Sequence, residues 1–140
     1  MTQWQTFLTG LKAEFADGQV QHFGNPEKEL QAAAAGTVLA DLSHLGLLQI
    51  DGEDRVAFLQ GQVTNDVKLL LGNNSHYAGY CTPKGRLLAL FLVFAHNDHL
   101  HLQLNRQLLE LIMKRLKMYV LRSKVSITDV SDSIVRMGLA

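Results

Sequence analysis

The sequence predicts an α+β fold in which an antiparallel sheet carries helices mainly on one face. Short segments with the two-residue alternation of strands are interleaved with segments whose apolar residues recur every three or four positions, as on helices. Turn residues separate several strand segments by only a few positions, which favours hairpins. From residue 45 to residue 130, the order strand, helix, three strands, helix, strand suits a ferredoxin-like arrangement with one extra strand.

The composition fits a single domain of 140 residues, with a helical lead-in over residues 1–36 and an α+β core over residues 37–140. Hydrophobic residues make up 47% and charged residues 19%, and the formal net charge is zero, so the overall charge favours neither nucleic acid nor acidic membranes. Cys81 is the only cysteine, no secretory signal is visible, and the longest apolar run, Leu87 to Ala95, is too short to span a bilayer. These features predict a cytoplasmic protein with no membrane partner.

Two helices are predicted near the N-terminus. The first runs from Thr2 to Phe15, because apolar side chains recur there at helical spacing and because Thr2 and Gln5 have the spacing of a capping box. The second begins after Asn25, a helix-capping residue that is followed by proline, and ends at Gly36.

The α+β core begins with two strand segments and a helix. Residues Thr37 to Asp41 and Leu45 to Asp51 are predicted strands on either side of a polar break. Asp51 is the predicted N-cap of the next helix, which gives way near Gly61 to a polar turn over residues 64–66.

Strands dominate the second half of the core. Leu87 to Ala95 is apolar at every position, which predicts a central strand covered on both faces. His99 to Leu104 alternates strictly, as a half-buried strand does, and Asn105 then caps a predicted helix that reaches Met118. Three further strands are predicted: Ser75 to Cys81, Lys124 to Val130, and Ile134 to Leu139.

Two groups of reactive residue types suggest chemistry, but neither is specific. His99 and His101 share one face of their predicted strand, near His96, which is a two-ligand metal arrangement without a third specified ligand. A solvent-facing strand edge explains the same residues, so we assign no metal site. Cys81 lies near two cations that favour thiol reactivity, but no histidine base is spaced to activate it, so we assign no catalytic residue.

A basic cluster over residues 106–124 is opposed only by Glu110. It suits a phosphate, an acidic ligand, or a solvated helix face. Its members are Arg106, Lys114, Arg115, Lys117, Arg122 and Lys124.

Polar residues beside apolar segments predict a small-ligand site near two turns. Donors and acceptors next to apolar walls suit a flat, polar-edged ring with an acidic tail. The candidate binding residues are Asn65, Asp66, Lys84, Arg86 and Asn105.

Several blocks of sequence, in this order and at this spacing, resemble the folate-binding YgfZ family. That family is related to the T-protein of glycine cleavage, which is an aminomethyltransferase. The blocks that carry the resemblance are Gly46–Gly52, Phe58–Val67, Cys81–Arg86, Ser123–Ile127 and Arg136–Ala140.

The resemblance implies the aminomethyltransferase type of folate-binding domain, with tetrahydrofolate as its ligand. It also implies a role in assembly or repair of iron–sulfur proteins, which would be partners, and a link to tRNA modification. Full-length members of the family are about twice as long as this chain and carry a Lys-Gly-Cys segment that is absent here, so we expect the chain to be the N-terminal part of a longer protein.

Two departures from the related enzymes bear on function. T-proteins have a catalytic aspartate just after the turn that Lys84 and Gly85 match, whereas this chain has Leu88 and Ala89 there. Members of the YgfZ family can carry tryptophan at the position where this chain has Leu45. In contrast to these departures, Asn105 matches an asparagine of the T-protein folate site. We therefore expect binding without catalysis. The alternatives are a folate-dependent aminomethyltransferase and a tRNA- or protein-binding module that uses the basic cluster.

Overall fold

The structure is a computed structural model that describes all residues from 1 to 140. It contains two compact units, of which the first comprises Met1–His44 with Asp132–Ala140 and the second comprises Leu45–Ser131. In chain order, the helices and strands are α1 (Gln3–Gly10), β1 (Glu14–Ala16), β2 (Gln19–His22), α2 (Pro26–Ala35), β3 (Leu39–Asp41), β4 (Leu45–Asp51), α3 (Arg55–Gln60), β5 (Ser75–Cys81), β6 (Leu87–His96), β7 (His99–Asn105), α4 (Leu109–Met118), β8 (Ser126–Asp129) and β9 (Met137–Leu139).

The first unit combines two short helices with two two-stranded sheets, β1 with β2 and β3 with β9. The predicted capping box is confirmed, since the Thr2 hydroxyl accepts from the Gln5 N–H and the Gln5 side chain accepts from the Thr2 N–H. The predicted caps of α2 are also confirmed, because the Asn25 side chain accepts from the Lys28 N–H and Gly36 follows the last turn.

The first helix is shorter than the sequence predicts. It ends at Gly10, and Lys12 then adopts a left-handed backbone with φ of 68°, which no helix can continue through. Phe15, expected on the helix, lies in β1 instead and pairs with Val20 of β2. The helical spacing of apolar residues therefore extends beyond the end of the helix, which is why the sequence predicts a longer one.

The second unit is built on a five-stranded sheet with the order β5-β6-β7-β4-β8, in which every neighbouring pair is antiparallel. The order β8-β4-β7-β6 is the ferredoxin-like plan, and β5 is the extra strand at one edge. The predicted α+β class and the antiparallel sheet are confirmed.

Both helices of this unit pack against one face of the sheet, as predicted. We call this the core face and the opposite one the outer face. Alternate residues of each strand supply the core face, because side chains of a strand point to opposite sides in turn. The buried cluster contains, among others, Ala89, Phe91 and Val93 of β6, Leu100, Leu102 and Leu104 of β7, Phe58 and Leu59 of α3, and Leu109, Ile112 and Leu116 of α4.

Two expectations for this unit were wrong, and a third holds except at one residue. Asp51 is the last residue of β4 rather than a helix cap, because the chain turns sharply at Gly52 and α3 begins only after Asp54. Strand β6 is not covered on both faces, since Leu87 and Leu90 remain 59% and 55% exposed. Strand β7 is half-buried as predicted except at His101, which points to the outer face but is only 2% exposed.

None of the helices has both the length and the apolar content that crossing a lipid bilayer requires.

The turn at Gly52 gives a direct test of the link between β4 and α3. Its φ of 112° suits glycine, and an added Cβ would overlap the carbonyl oxygen of Lys124 and lie 2.8 Å from its carbon. We expect Gly52→Ala to lower the free energy of unfolding by about 3 kcal/mol or more, measured by urea denaturation. The matched control is Gly72→Ala, where φ is 91° but nothing lies within 4 Å, so a loss of about 1 kcal/mol is expected. Equal losses in the two variants would contradict the steric role of Gly52.

Candidate functional site

The candidate site lies at the end of the five-stranded sheet where a tight turn joins β5 to β6. The printed registers pair Gly79 of β5 with Leu90 of β6 and pair Leu45 of β4 with Asn105 of β7. Continuing the antiparallel register of β6 and β7 brings Leu90 opposite Asn105. These residues therefore form one row across four strands, at the sheet end that carries the β5–β6 turn.

The β5–β6 turn presents two cations to solvent. The turn is closed by the Gly85 N–H, which donates to the Thr82 carbonyl at 2.8 Å, and by the Thr82 N–H, which donates to the Arg86 carbonyl at 2.8 Å. Gly85 has φ of 79°, a left-handed conformation that suits glycine. Lys84 and Arg86 are exposed and line one depression of 470 Å³ together with Thr82 and Pro83. The structure thus brings these two predicted residues together.

An exposed apolar strip adjoins this turn on the outer face. It consists of Tyr77, Leu87 and Leu90, which are all more than half exposed. Gly79 lies among them, and a Cβ on it would approach Leu87 Cδ1 to 3.1 Å and Thr64 Oγ1 to 3.2 Å. A strip of apolar side chains next to two cations suits a flat ring with an anionic tail. Sequence reasoning treated β6 as buried and so missed this strip.

Asn105 borders the same face two strands away from β5. Its Oδ1 accepts a hydrogen bond from the Gln107 N–H at 2.9 Å, which caps the 3₁₀ turn leading into α4, as predicted. The residue is exposed, and its amide nitrogen is a donor at the sheet end that carries Lys84 and Arg86.

Asn65 and Asp66 lie apart from these groups, along the free edge of β5. The Asn65 side chain donates to the Tyr77 carbonyl at 3.0 Å, and the Asp66 carboxylate accepts from the Lys68 N–H at 3.0 Å. Thr64 continues the contact, since its N–H donates to the Gly79 carbonyl at 3.0 Å and its hydroxyl accepts from the Gly79 N–H at 2.8 Å. The side chains of Thr64 and Asn65 thus bond to the backbone of β5, and the Asp66 side chain caps the following 3₁₀ turn.

Acidic residues neutralise part of the basic cluster. One of them lies one helical turn away on α4, and the others are distant in sequence. Lys114 pairs with Glu110 at 3.0 Å, and Lys124 pairs with Glu53 at 2.9 Å. The Lys124 N–H also donates to the Asp54 carboxylate at 2.8 Å. The cluster is therefore not a continuous positive stripe.

Three histidines and one aspartate meet at the other end of the outer face. His96 pairs with His99 across β6 and β7, and the His99 imidazole contacts the Asp51 carboxylate of β4. The His101 ring stacks on Phe94 with centroids 5.0 Å apart, and its Nε2 lies 3.3 Å from the Gln49 amide oxygen. No group of three or more potential ligands is arranged to hold a metal ion.

His101 is the one titratable group here whose proton affinity is clearly altered. Burial lowers the pKa of His101 below its ordinary value of 6.5, and the neighbouring His99 and His96 act in the same direction, whereas Asp51 opposes them. The imidazole is therefore held neutral at neutral pH.

The comparison with protein families decides the class of this chain. The model of the GCVT N-terminal domain matches residues 7–140. The chain belongs to this family.

Individual GCVT-domain proteins support the same assignment. The chain is similar to the tRNA-modifying protein YgfZ of Hamiltonella defensa, with 37% identity over 99 residues, which are 71% of this chain and 29% of that protein. It is also similar to an iron–sulfur cluster assembly factor IBA57 homolog of Mycosarcoma maydis, with 37% identity over 66% of this chain and 26% of that protein. The chain spans less than a third of the length of these relatives. The resemblance to the YgfZ family is confirmed.

A solved GCVT-type structure confirms the fold. The glycine cleavage system aminomethyltransferase T of Bartonella henselae matches with a TM-score of 0.79 and 19% identity, over 97% of this chain and 39% of that chain. In this chain, Ala89 is almost fully buried in the core and Leu88 packs against the same core.

The buried His101 of this GCVT domain predicts a pH-dependent stability. Because its folded-state pKa is lowered, the unfolded chain binds the proton first, so stability falls as the pH drops from about 6.5 towards the folded-state pKa. We expect the urea midpoint to be lower at pH 5.5 than at pH 7.5, and this difference to shrink in His101→Gln. An unchanged pH dependence in the variant would contradict this role of His101.

Proposed function

We propose that the protein is a cytoplasmic, YgfZ-like tetrahydrofolate-binding protein that assists the assembly or repair of iron–sulfur proteins and thereby tRNA modification. The observation that carries this proposal is the pair of relatives: one is named for tRNA modification and the other for iron–sulfur cluster assembly. Membership of the GCVT N-terminal family supports the folate part.

The ligand site that we propose is the outer face beside the β5–β6 turn. Tetrahydrofolate combines a flat, polar-edged ring with a carboxylate tail. Lys84 and Arg86 are exposed cations suited to the carboxylates, and the apolar strip with its Tyr77 ring offers a surface for the flat part. The residues present therefore fit the chemistry of this group.

We assign different roles to the remaining candidates. The Asn105 amide nitrogen is a donor for a polar ring edge at the far border of the face. Asn65 and Asp66 act indirectly, because their hydrogen bonds hold the segment beside Tyr77.

Binding without group transfer follows from Leu88 and Ala89. A proton acceptor or a negative charge is needed where the related enzymes carry their aspartate, and an aliphatic side chain supplies neither. Ala89 also points into the core rather than towards the outer face.

Titration calorimetry with tetrahydrofolate tests the site. We expect saturable binding that Arg86→Glu weakens by about tenfold or more, because one charge-assisted contact is replaced by repulsion. Lys84→Glu is expected to act in the same direction. The matched control is Lys68→Glu, which changes an exposed cation outside the face and leaves the affinity unchanged. The absence of heat at high micromolar ligand, or equal effects of all three substitutions, would overturn the proposed site.

An aminomethyl-transfer assay separates this proposal from the enzymatic alternative. With tetrahydrofolate and the aminomethyl-loaded lipoyl carrier protein of glycine cleavage as substrates, we expect no turnover above a protein-free control. Turnover would favour a folate-dependent aminomethyltransferase that uses an acid elsewhere in the molecule.

A further inference from the structure

A mixed apolar and basic surface lies on the solvent side of α4 and continues past its end. Leu111, Lys114, Arg115 and Met118 have the spacing i, i+3, i+4 and i+7, so they share one side of the helix. Leu121 and Arg122 follow in the turn after the end of the helix at Met118. We call these six residues the α4 surface.

Leu121 is held in an unfavourable backbone conformation at the tip of this surface. Its φ is 48°, in the left-handed region that bulky side chains rarely adopt, and the turn is closed by the Ser123 N–H donating to the Val120 carbonyl at 2.8 Å. The side chain is nevertheless 86% exposed, so the fold gains no packing in return. Burying this exposed leucine against a partner would stabilise the resulting complex.

The surroundings of Leu121 provide both room and charge. A depression of 640 Å³ is lined by Leu121 together with Asp54, Arg122 and Ser123. Leu111 and Met118 are also more than half exposed. Neither Arg115 nor Arg122 forms an ion pair within the protein. Free cations beside exposed aliphatic groups favour a partner that is both acidic and apolar.

We propose that the α4 surface binds an acidic amphipathic helix of a protein partner. The helical part of this surface, from Leu111 to Met118, spans about 10 Å, which corresponds to roughly two turns of a partner helix. Apolar side chains of the partner helix at i, i+3 or i+4 and i+7 would cover the exposed leucines and methionine of the α4 surface. Acidic side chains beside them would pair with Arg115 and Arg122.

RNA fits this surface less well. Bases are bound by stacking on aromatic rings along a continuous line of cations, whereas the exposed apolar groups of the α4 surface are aliphatic. Lys114 and Lys124 are neutralised by glutamates, and the chain as a whole carries no net charge.

Fluorescence anisotropy with defined probes tests the inference. The probes are a labelled peptide of about 15 residues with leucine on one helical side and glutamate around it, the same peptide with lysine replacing glutamate, and a single-stranded RNA of similar length. We expect the acidic peptide to bind and Arg122→Glu to weaken it. Failure of the acidic peptide to bind, equal binding of the lysine peptide, or preferential RNA binding would overturn the inference.

Leu121→Gly separates recognition from folding. Removing the buried contact is expected to weaken peptide binding about tenfold, while relief of the left-handed strain raises the urea midpoint. The matched control is Leu71→Gly, which removes another leucine of the same unit that is 81% exposed, and its affinity should stay unchanged. Undiminished binding by Leu121→Gly, or an unchanged or lower midpoint, would refute the role of this residue. Tetrahydrofolate binding should be unaffected, so failure of either proposal leaves the other standing.

Discussion

The burial of one sheet face against two helices is the constraint on which the second unit depends. Ala89, Phe91 and Val93 are committed to the core, and strand geometry then turns Leu90 to the opposite side. The same alternation brings Asn105 to the outer face and keeps Leu104 inside. The polar residues of β7, which are His99, His101, Gln103 and Asn105, therefore share the outer face. The candidate ligand site follows from this division more than from any single motif.

Local signals in the sequence were sufficient wherever the deciding contacts are local. The capping box at Thr2 and the cap at Asn25 involve residues within a few positions, and both were predicted. The turn that exposes Lys84 and Arg86 was also predicted, because proline and glycine favour such turns. Contacts between residues distant in sequence could not be predicted. Helix α3 does not begin at Asp51, because the chain turns at Gly52, which lies against Lys124. The exposure of Leu90 depends on whether another element packs on its face of the sheet.

The candidate ligand site and the α4 surface lie on opposite sides of one sheet. Helix α4 packs on the core face, and its solvent side points away from the strip that contains Tyr77 and Leu90. A small molecule on one side and a protein helix on the other would therefore not compete for space. The layer between them includes Ile112 and Leu116, which are almost fully buried.

The segment from Val63 to Asp66 also bears on the solubility of the protein. Strand β5 ends the sheet, and an uncovered edge offers unpaired N–H and carbonyl groups that can recruit strands of other chains into aggregates. The bridge from Val63 to Tyr80 and the bonds from Thr64 and Asn65 occupy much of that edge. Damage to this segment would therefore also promote self-association at high protein concentration.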